Sequence, residues 1–529
     1  MIHSVQGYRG AVTSPHHLAS QAGLDVLRDG GGAIEAAVAM AATLAVVYPH
    51  MTAIGGDGFW IISDADGTVA AIDACGPAAA SADLGLYERA GLSAIPTRGP
   101  LAALTVPGTI GGWQAALARV ADPLPLKRLL CDAIHHAETG VAVTESGAGL
   151  GTEKSAELRD LPGAYAAIFE PEGRPLRVGE RLVQSALART LRRLASGGLD
   201  DFYRGALAAD MAADMAALGC PVTGADLAAY GAGNPAPLHL RLGDVSLYNM
   251  IPPTQGLASL LILGLFDRLQ RPGPVDGFAH VHALVEATKQ AFLLRDREVG
   301  DPAWMTLDPQ ALLDDPAALD AMAARIDPAR ALPWPQPSQA GDTVWFGAVD
   351  ANGQAVSVIQ STYHEFGSGI VLPRTGVTLQ NRGSSFRLAP DGWNALKPGR
   401  KPFHTLNPAL ARFEDGRVMS YGTMGGEGQP QTQAALFTRY AWLGVPLQRA
   451  ITAPRWLLGR TWGAESTTLK LEERFDPALY DQLRAAGHDV EIVAPFTSMM
   501  GHAGALVRHP DGRIEGASDP RSDGAALAW

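Results

Sequence analysis

The stretch 341–386, GDTVWFGAVDANGQAVSVIQSTYHEFGSGIVLPRTGVTLQNRGSSF, brings three hydroxyl side chains together. Two short apolar segments, 344–349 and 355–359, flank a turn around Asp350, Asn352 and Gly353, the pattern of a β-hairpin. A connecting loop of two to four residues places Thr343 opposite one of residues 360–362, so the hydroxyls of Ser361 and Thr362 fall beside its own. A threonine hydroxyl is a weak nucleophile until a neighbouring base accepts its proton. Alone, a threonine leading a strand is most often a β-branched residue suited to a pleated surface. The chemical reading of Thr343 therefore depends on the elements around it.

Upstream, Pro333, Pro335 and Pro337 cannot donate ladder hydrogen bonds, so the approach to Thr343 is expected to be irregular and exposed. Gly30, Gly31 and Gly32 precede AIEAAVAMAATLAVVY, a helix apolar on nearly every side. It falls short of the ~20 apolar residues that cross a bilayer and carries Glu35 near its start, so it is expected to lie buried between layers. PHMTAIGGDGFWII reads as a tight glycine turn entering a strand; it lacks the G-x-G-x-x-G or Gly-Lys-Ser/Thr of a phosphate loop. Residues 123–302 are expected to be mostly helical. In AHVHALVEATKQAFLLRDR, Val281, Leu284, Val285 and Phe292 share one face. Residues 303–330 read as a helical tail. Beyond the hairpin, RLAPDGWNALKPGRKPFHTLNPALARF reads as a lid followed by a strand, with residues 401–405 bordering a pocket. YGTMGGEGQPQTQAALF reads as strand, glycine turn and helix, and the C-terminal GHAGALVRHPDGRIEGAS as a second hairpin.

Several chemistries lack their residues. No G-x-S-x-G elbow, Walker loop or C-x-x-C pair is present, and HEFGS at 364–368 lacks the second histidine of a zinc-protease motif. His280 and His282, two apart on a helix, point to different sides and are read as polar contacts; His16-His17 and His135-His136 carry no better metal signal. No metal or organic cofactor is expected. A net charge of −12 argues against nucleic-acid or anionic-membrane partners. Cys75, Cys131 and Cys220 are odd in number and widely spread, giving no disulfide framework. With no basic start and apolar run at the N-terminus, a cytoplasmic location is expected.

The Asp342-Thr343 junction, the D-x-x-G turn, the F-G-S-G-I run, Gly425-Gly426, LTVPGTIGGW and Asp519-Pro520-Arg521 together resemble the γ-glutamyltransferase family of N-terminal nucleophile hydrolases, along most of the chain. The resemblance implies an α+β fold, a four-layer αββα sandwich formed jointly by two chains of one precursor. It implies self-cleavage between Asp342 and Thr343 into a large chain, 1–342, and a small chain, 343–529, that together make one domain. Whether two such heterodimers associate is left open. The freed α-amine of Thr343, with a pKa of about 7.7–8.0, would serve as its own base. By the same resemblance Ser361 hydrogen-bonds the nucleophile, and the amides of Gly425 and Gly426 form an oxyanion hole.

The substrate-contacting positions depart from the γ-glutamyl pattern. AIDACGPAAAS lacks the family's Arg-Glu pair, whose arginine holds an α-carboxylate. Where the family has an Asn, a Gln, an Asp and two serines, this chain has Tyr363, Arg382, Ser385, His404 and Thr405. Losing an anion and gaining a cation reverses the pocket's preference, toward a small amide bearing a carboxylate and no amino group. A γ-glutamyl transferase or hydrolase, a cephalosporin-type acylase and an uncleaved binding scaffold are the alternatives. Arg382 could instead form an ordinary ion pair at the rim.

Overall fold

The computed structural model describes residues 3–334, 342–459 and 466–529. Pro335 and Pro337 of the expected irregular approach lie outside the described residues. In chain order, β1 (Val5–Gly7), β2 (Gly10–Ser14), β3 (Asp57–Ser63), β4 (Val69–Ala74), β5 (Leu238–Leu242) and β6 (Val245–Asn249) precede the hairpin β7 (Asp342–Asp350) and β8 (Ala355–Tyr363). Then come β9 (Ala409–Phe413), β10 (Val418–Thr423), β11 (Ala503–Arg508), β12 (Ile514–Ser518) and β13 (Ala525–Ala528). The helices that matter most here are α1 (His17–Arg28), α2 (Ala33–Val47), α3 (Gly256–Arg268), α4 (Phe278–Glu298) and α5 (Gly428–Phe437).

Two antiparallel sheets result. One runs β13-β2-β7-β8-β3-β4 and the other β1-β12-β11-β10-β9-β6-β5. Three separate cores give the layers. Val344, Phe346 and Ala348 of β7 pack with α2 in the first, and Ala409, Ala411 and Met419 pack with α3 and α4 in the second. The third, between the sheets, holds Phe59, Ile61, Trp345, Val349, Ile359, Leu410 and Leu506. Two-residue alternation along β7 thus sends even positions to the helices and odd ones between the sheets. This is the mixed α and β sandwich that the sequence led us to expect.

Local chemistry explains several elements. Helix α2 is buried at every residue. Its first turn is capped from outside, because Asp350 of the hairpin turn accepts from the Ala33 N–H at 3.0 Å while Glu35 accepts from Gly32 N–H at 2.7 Å. The hairpin strands extend further than the expected 344–349 and 355–359. The hairpin β5-β6 falls inside the region expected to be mostly helical. Its L-H-L-R-L alternation before Gly243-Asp244 is the period-two signal that the surrounding helical pattern obscured.

Trp345 packs over two bare backbones of the facing sheet. A Cβ at Gly422 would stand 2.3 Å from its Cδ1, and one at Gly504 would stand 2.4 Å from its Cζ3. Those glycines face each other across β10 and β11. Gly422→Ala is therefore expected to lower stability by about 1–3 kcal/mol through overpacking, read as a fall in the denaturant midpoint; an unchanged midpoint would contradict this packing.

Candidate active site

Thr343 is completely buried, at the start of β7. In the ladder Val344 stands opposite Gln360 and Asp342 opposite Tyr363, with an irregularity between them, so Thr343 lies across from Ser361 and Thr362 as the hairpin arithmetic predicts. On its other edge β8 sets Ser361 opposite Asp57. Gly56 makes that approach possible, since a Cβ there would stand 2.1 Å from the Ser361 carbonyl oxygen. After the irregularity, Tyr363 takes a left-handed φ of 83° and donates its N–H to Ser361 Oγ at 2.7 Å.

The glycine turn lies between β10 and α5. Gly425 and Gly426 have φ of 123° and 51°, a conformation that side chains rarely adopt. The turn leads into the N-terminus of α5, where the Gly428 N–H donates to Gly425 O at 2.7 Å and the helix dipole favours negative charge. From the first turn of α5, Gln429 directs Nε2 at Thr343 Oγ1, 3.5 Å away, and accepts from the Asn407 N–H at 3.2 Å. Gln255 secures the turn from behind, donating from Nε2 to Thr405 O at 2.6 Å and to Gly426 O at 2.8 Å. Arg295 in turn donates to Gln255 Oε1 at 2.9 Å and to Glu427 Oε2 at 3.0 Å.

Arg382 has no exposed surface. Its Nη2 donates to Thr405 Oγ1 at 3.1 Å, and its guanidinium lies 3.6 Å above the Tyr363 ring. Its Nε and Nη1 meet no acceptor among the described residues. Burial lowers its pKa to about 10, so it is a cation at neutral pH. Beside it, His404 Nδ1 accepts from the Leu406 N–H at 3.4 Å, leaving Nε2–H to donate to Asp57 Oδ2 at 3.1 Å. Asp57 Oδ1 accepts from Gly76 N–H at 3.1 Å and Gln380 Nε2 at 3.0 Å. Burial raises the Asp57 carboxyl to about 7 against those donors and Arg382. Burial, then Arg382 and Lys401, hold His404 neutral.

The fold thus gathers Thr343, Ser361 and the Gly425-Gly426 turn at one end of the sandwich, while Tyr363, Arg382, His404 and Thr405 form an adjoining cluster. Ser385, expected to contact substrate, donates its hydroxyl to Phe403 O at 3.2 Å. His404 faces Asp57. Lys401 binds Asp73 at 2.6 Å. Asp57, Gln255, Arg295 and Gln429 carry no spacing signal and were missed. Only the aspartate inside a glycine run, GGDG, could have drawn attention to Asp57.

Among the described residues two clusters have the donor types of a metal site, Asp57-Cys75-His404 and His282-Glu286-His488. In both, hydrogen bonds already satisfy the donors. Lys289 Nζ lies 2.7 Å from Glu286, and His282 bonds His488 at 2.9 Å and Asp327 O at 2.8 Å. His280 bonds Thr438 and the Asp276 N–H. These are the polar contacts that the histidine spacing suggests.

A sequence model of the Gamma-glutamyltranspeptidase family matches residues 19–529. The chain is 56% identical to the oxamate amidohydrolase proenzyme of Klebsiella pneumoniae, over 98% of each chain. It is 30% identical to the glutathione hydrolase proenzyme of Escherichia coli, over 99% of this chain and 92% of that one. The structure superposes on cephalosporin acylase from Bacillus halodurans with a TM-score of 0.90 at 31% identity, covering 99% of this chain and 97% of the other.

Arg295→Met would strand Glu427 without its buried cation. A loss of about 3–5 kcal/mol is expected in a denaturant titration, partly recovered in the double variant Arg295→Met/Glu427→Leu. Equal stability of the single variant and the wild type would show that the pair does not brace the turn.

Proposed function

Because the chain belongs to the γ-glutamyltranspeptidase family of N-terminal nucleophile hydrolases, we propose that it cuts itself between Asp342 and Thr343 and then hydrolyses a small carboxylate amide, oxamate, to oxalate and ammonia. The observation that carries the substrate class is Arg382: a fully buried guanidinium with two donors uncommitted among the described residues. Such a group calls for an anion, and a carboxylate is the anion whose geometry fits its donor fork. The identity to an oxamate amidohydrolase proenzyme supports the same choice. A γ-glutamyl donor also needs an anion for its α-ammonium. Asp57 is the carboxylate beside Arg382, yet both its oxygens accept from protein donors.

The mechanism is acyl transfer. The Thr343 α-amine takes the Oγ proton as Oγ attacks the amide carbon, and the Gly425 and Gly426 amides stabilise the oxyanion. The ammonium then gives its proton to the departing nitrogen, releasing ammonia and leaving an oxalyl ester. Water adds to that ester with the amine again as base, and oxalate leaves as Oγ recovers its proton. Gln429 and Ser361 orient the hydroxyl. Before the cut, the same nitrogen is an amide without basicity, so the precursor is inactive. Large and small chains stay together as a heterodimer. The unpaired thiols of Cys75, Cys131 and Cys220 support a reducing, cytoplasmic setting. Among the described residues no helix is long and apolar enough to cross a membrane.

Thr343→Ala is expected to remain a single band of 55.4 kDa on a denaturing gel and release no ammonia from oxamate, while wild type gives a fragment beginning Thr-Val-Trp. An active, uncut wild type would overturn the proposal. Arg382→Met, once processed, is expected to raise KM for oxamate roughly 10- to 100-fold, the worth of a charge-assisted hydrogen bond. Turnover of glutathione in place of oxamate would move the assignment to the γ-glutamyl hydrolases.

A further inference from the structure

Beneath Arg382 the charges balance before any substrate arrives. Lys401 and Asp73 neutralise each other at 2.6 Å. Burial raises the Cys75 thiol and the Tyr203 and Tyr230 phenols, so all three are neutral. What remains is one cation, Arg382, and Asp57, an anion above about pH 7, whose Oδ2 holds the Nε2–H of a neutral His404 at 3.1 Å. Asp57, Arg382 and His404 are all at most 1% exposed, so water screens none of them. A carboxylate seated on the two open donors of Arg382 adds a second anion to this dry cluster and leaves it with a net negative charge.

We propose that Asp57 and His404 form a positioning pair that takes up one proton from solvent as a substrate carboxylate binds Arg382. The inference rests on the reading of Arg382 as the carboxylate holder. The proton enters the Nε2–Oδ2 contact, either on the carboxylate or on the imidazole, and the pair titrates as a unit. Uptake restores neutrality and keeps the guanidinium committed to the substrate rather than to Asp57. Asp57 does not touch the reacting atoms; it sets the charge that Arg382 presents. Asp57 is already held near 7 by burial, and a second anion beside it pushes it higher. Binding above pH 7 should therefore consume a proton, whereas below about pH 6 the pair already carries it.

The test uses processed wild-type enzyme and oxalate, an anion that the enzyme cannot consume. Calorimetric titrations at pH 8 in HEPES and in Tris, buffers of different ionisation enthalpy, count the protons exchanged. About one proton taken up per site is expected, falling toward none at pH 6, with Kd rising about tenfold per pH unit above 7. In Asp57→Asn the count should be near zero and Kd flat across this range. Oxalate binding to wild type without proton uptake overturns the proposal and leaves the reading of Arg382 standing. Persistent uptake in Asp57→Asn assigns the proton to the Thr343 amine and also overturns it. Equal oxalate affinity in Arg382→Met and wild type overturns the reading of Arg382 and this proposal with it. Where Asp57→Asn fails to process, absence of uptake by the wild type still overturns the proposal.

Discussion

Strand β7 pairs with β8 from its first residue onward and with β2 from Gly347 to Asp350, and the position of Thr343 depends on a strand anchored in this way. A residue at the start of a strand ordinarily has only one direction of support, the chain that follows it. Here β8 runs alongside as well, so its place does not need the peptide link that precedes it. Odd positions of β7 face the space between the sheets, which sends the Thr343 side chain to the end where β10 breaks into the Gly425-Gly426 turn. The inter-sheet packing of Trp345, two residues on, fixes how far apart the sheets stand at that point.

Around this strand the protein buries charge in small, balanced groups. Arg295 and Glu427 stand behind the glycine turn, and Arg382 and Asp57 stand beside Tyr363 and Ser361 of β8. Arg455, Asp519, Arg521 and Glu472 form a third buried group near the C-terminus. Such pairs add little net stability against apolar replacements, but each fails expensively when one member is removed. Their use here is geometric. Gln255 joins the Thr405 and Gly426 carbonyls through a single amide, coupling the Arg382 side of the site to the glycine turn.

The hairpin, its register and the position of Thr343 were readable because a short loop leaves little freedom in how two strands pair. The glycine turn was readable because the strand and helix around it have clear periods. The β5-β6 hairpin was lost in a long helical context, where five alternating residues weigh little against their surroundings. Asp57 read as part of a tight turn, and its role appears only when β3, β8 and the loop carrying His404 come together from distant parts of the chain. Gln255, Arg295 and Gln429 are single polar residues within or beside helices, and no local pattern separates them from surface residues. Arg382 was readable as a cation in an unusual place. That it is wholly enclosed, with donors left over, is a property of tertiary packing alone.

The order of strands in the two sheets has a further meaning. In the first, β2 from before Asp342 is inserted between β13 and the β7-β8 pair from after it, and β3-β4 from before it complete the edge; in the second, β9 to β12 are inserted between β1 and the β5-β6 pair. Neither half of the chain therefore completes either sheet on its own. Made as separate polypeptides, each would present long unpaired ladders to every other copy, an invitation to aggregate. Synthesis as one uninterrupted thread keeps the two halves at high effective concentration while they interweave, so single-chain birth is an assembly device as well as a safeguard against premature chemistry.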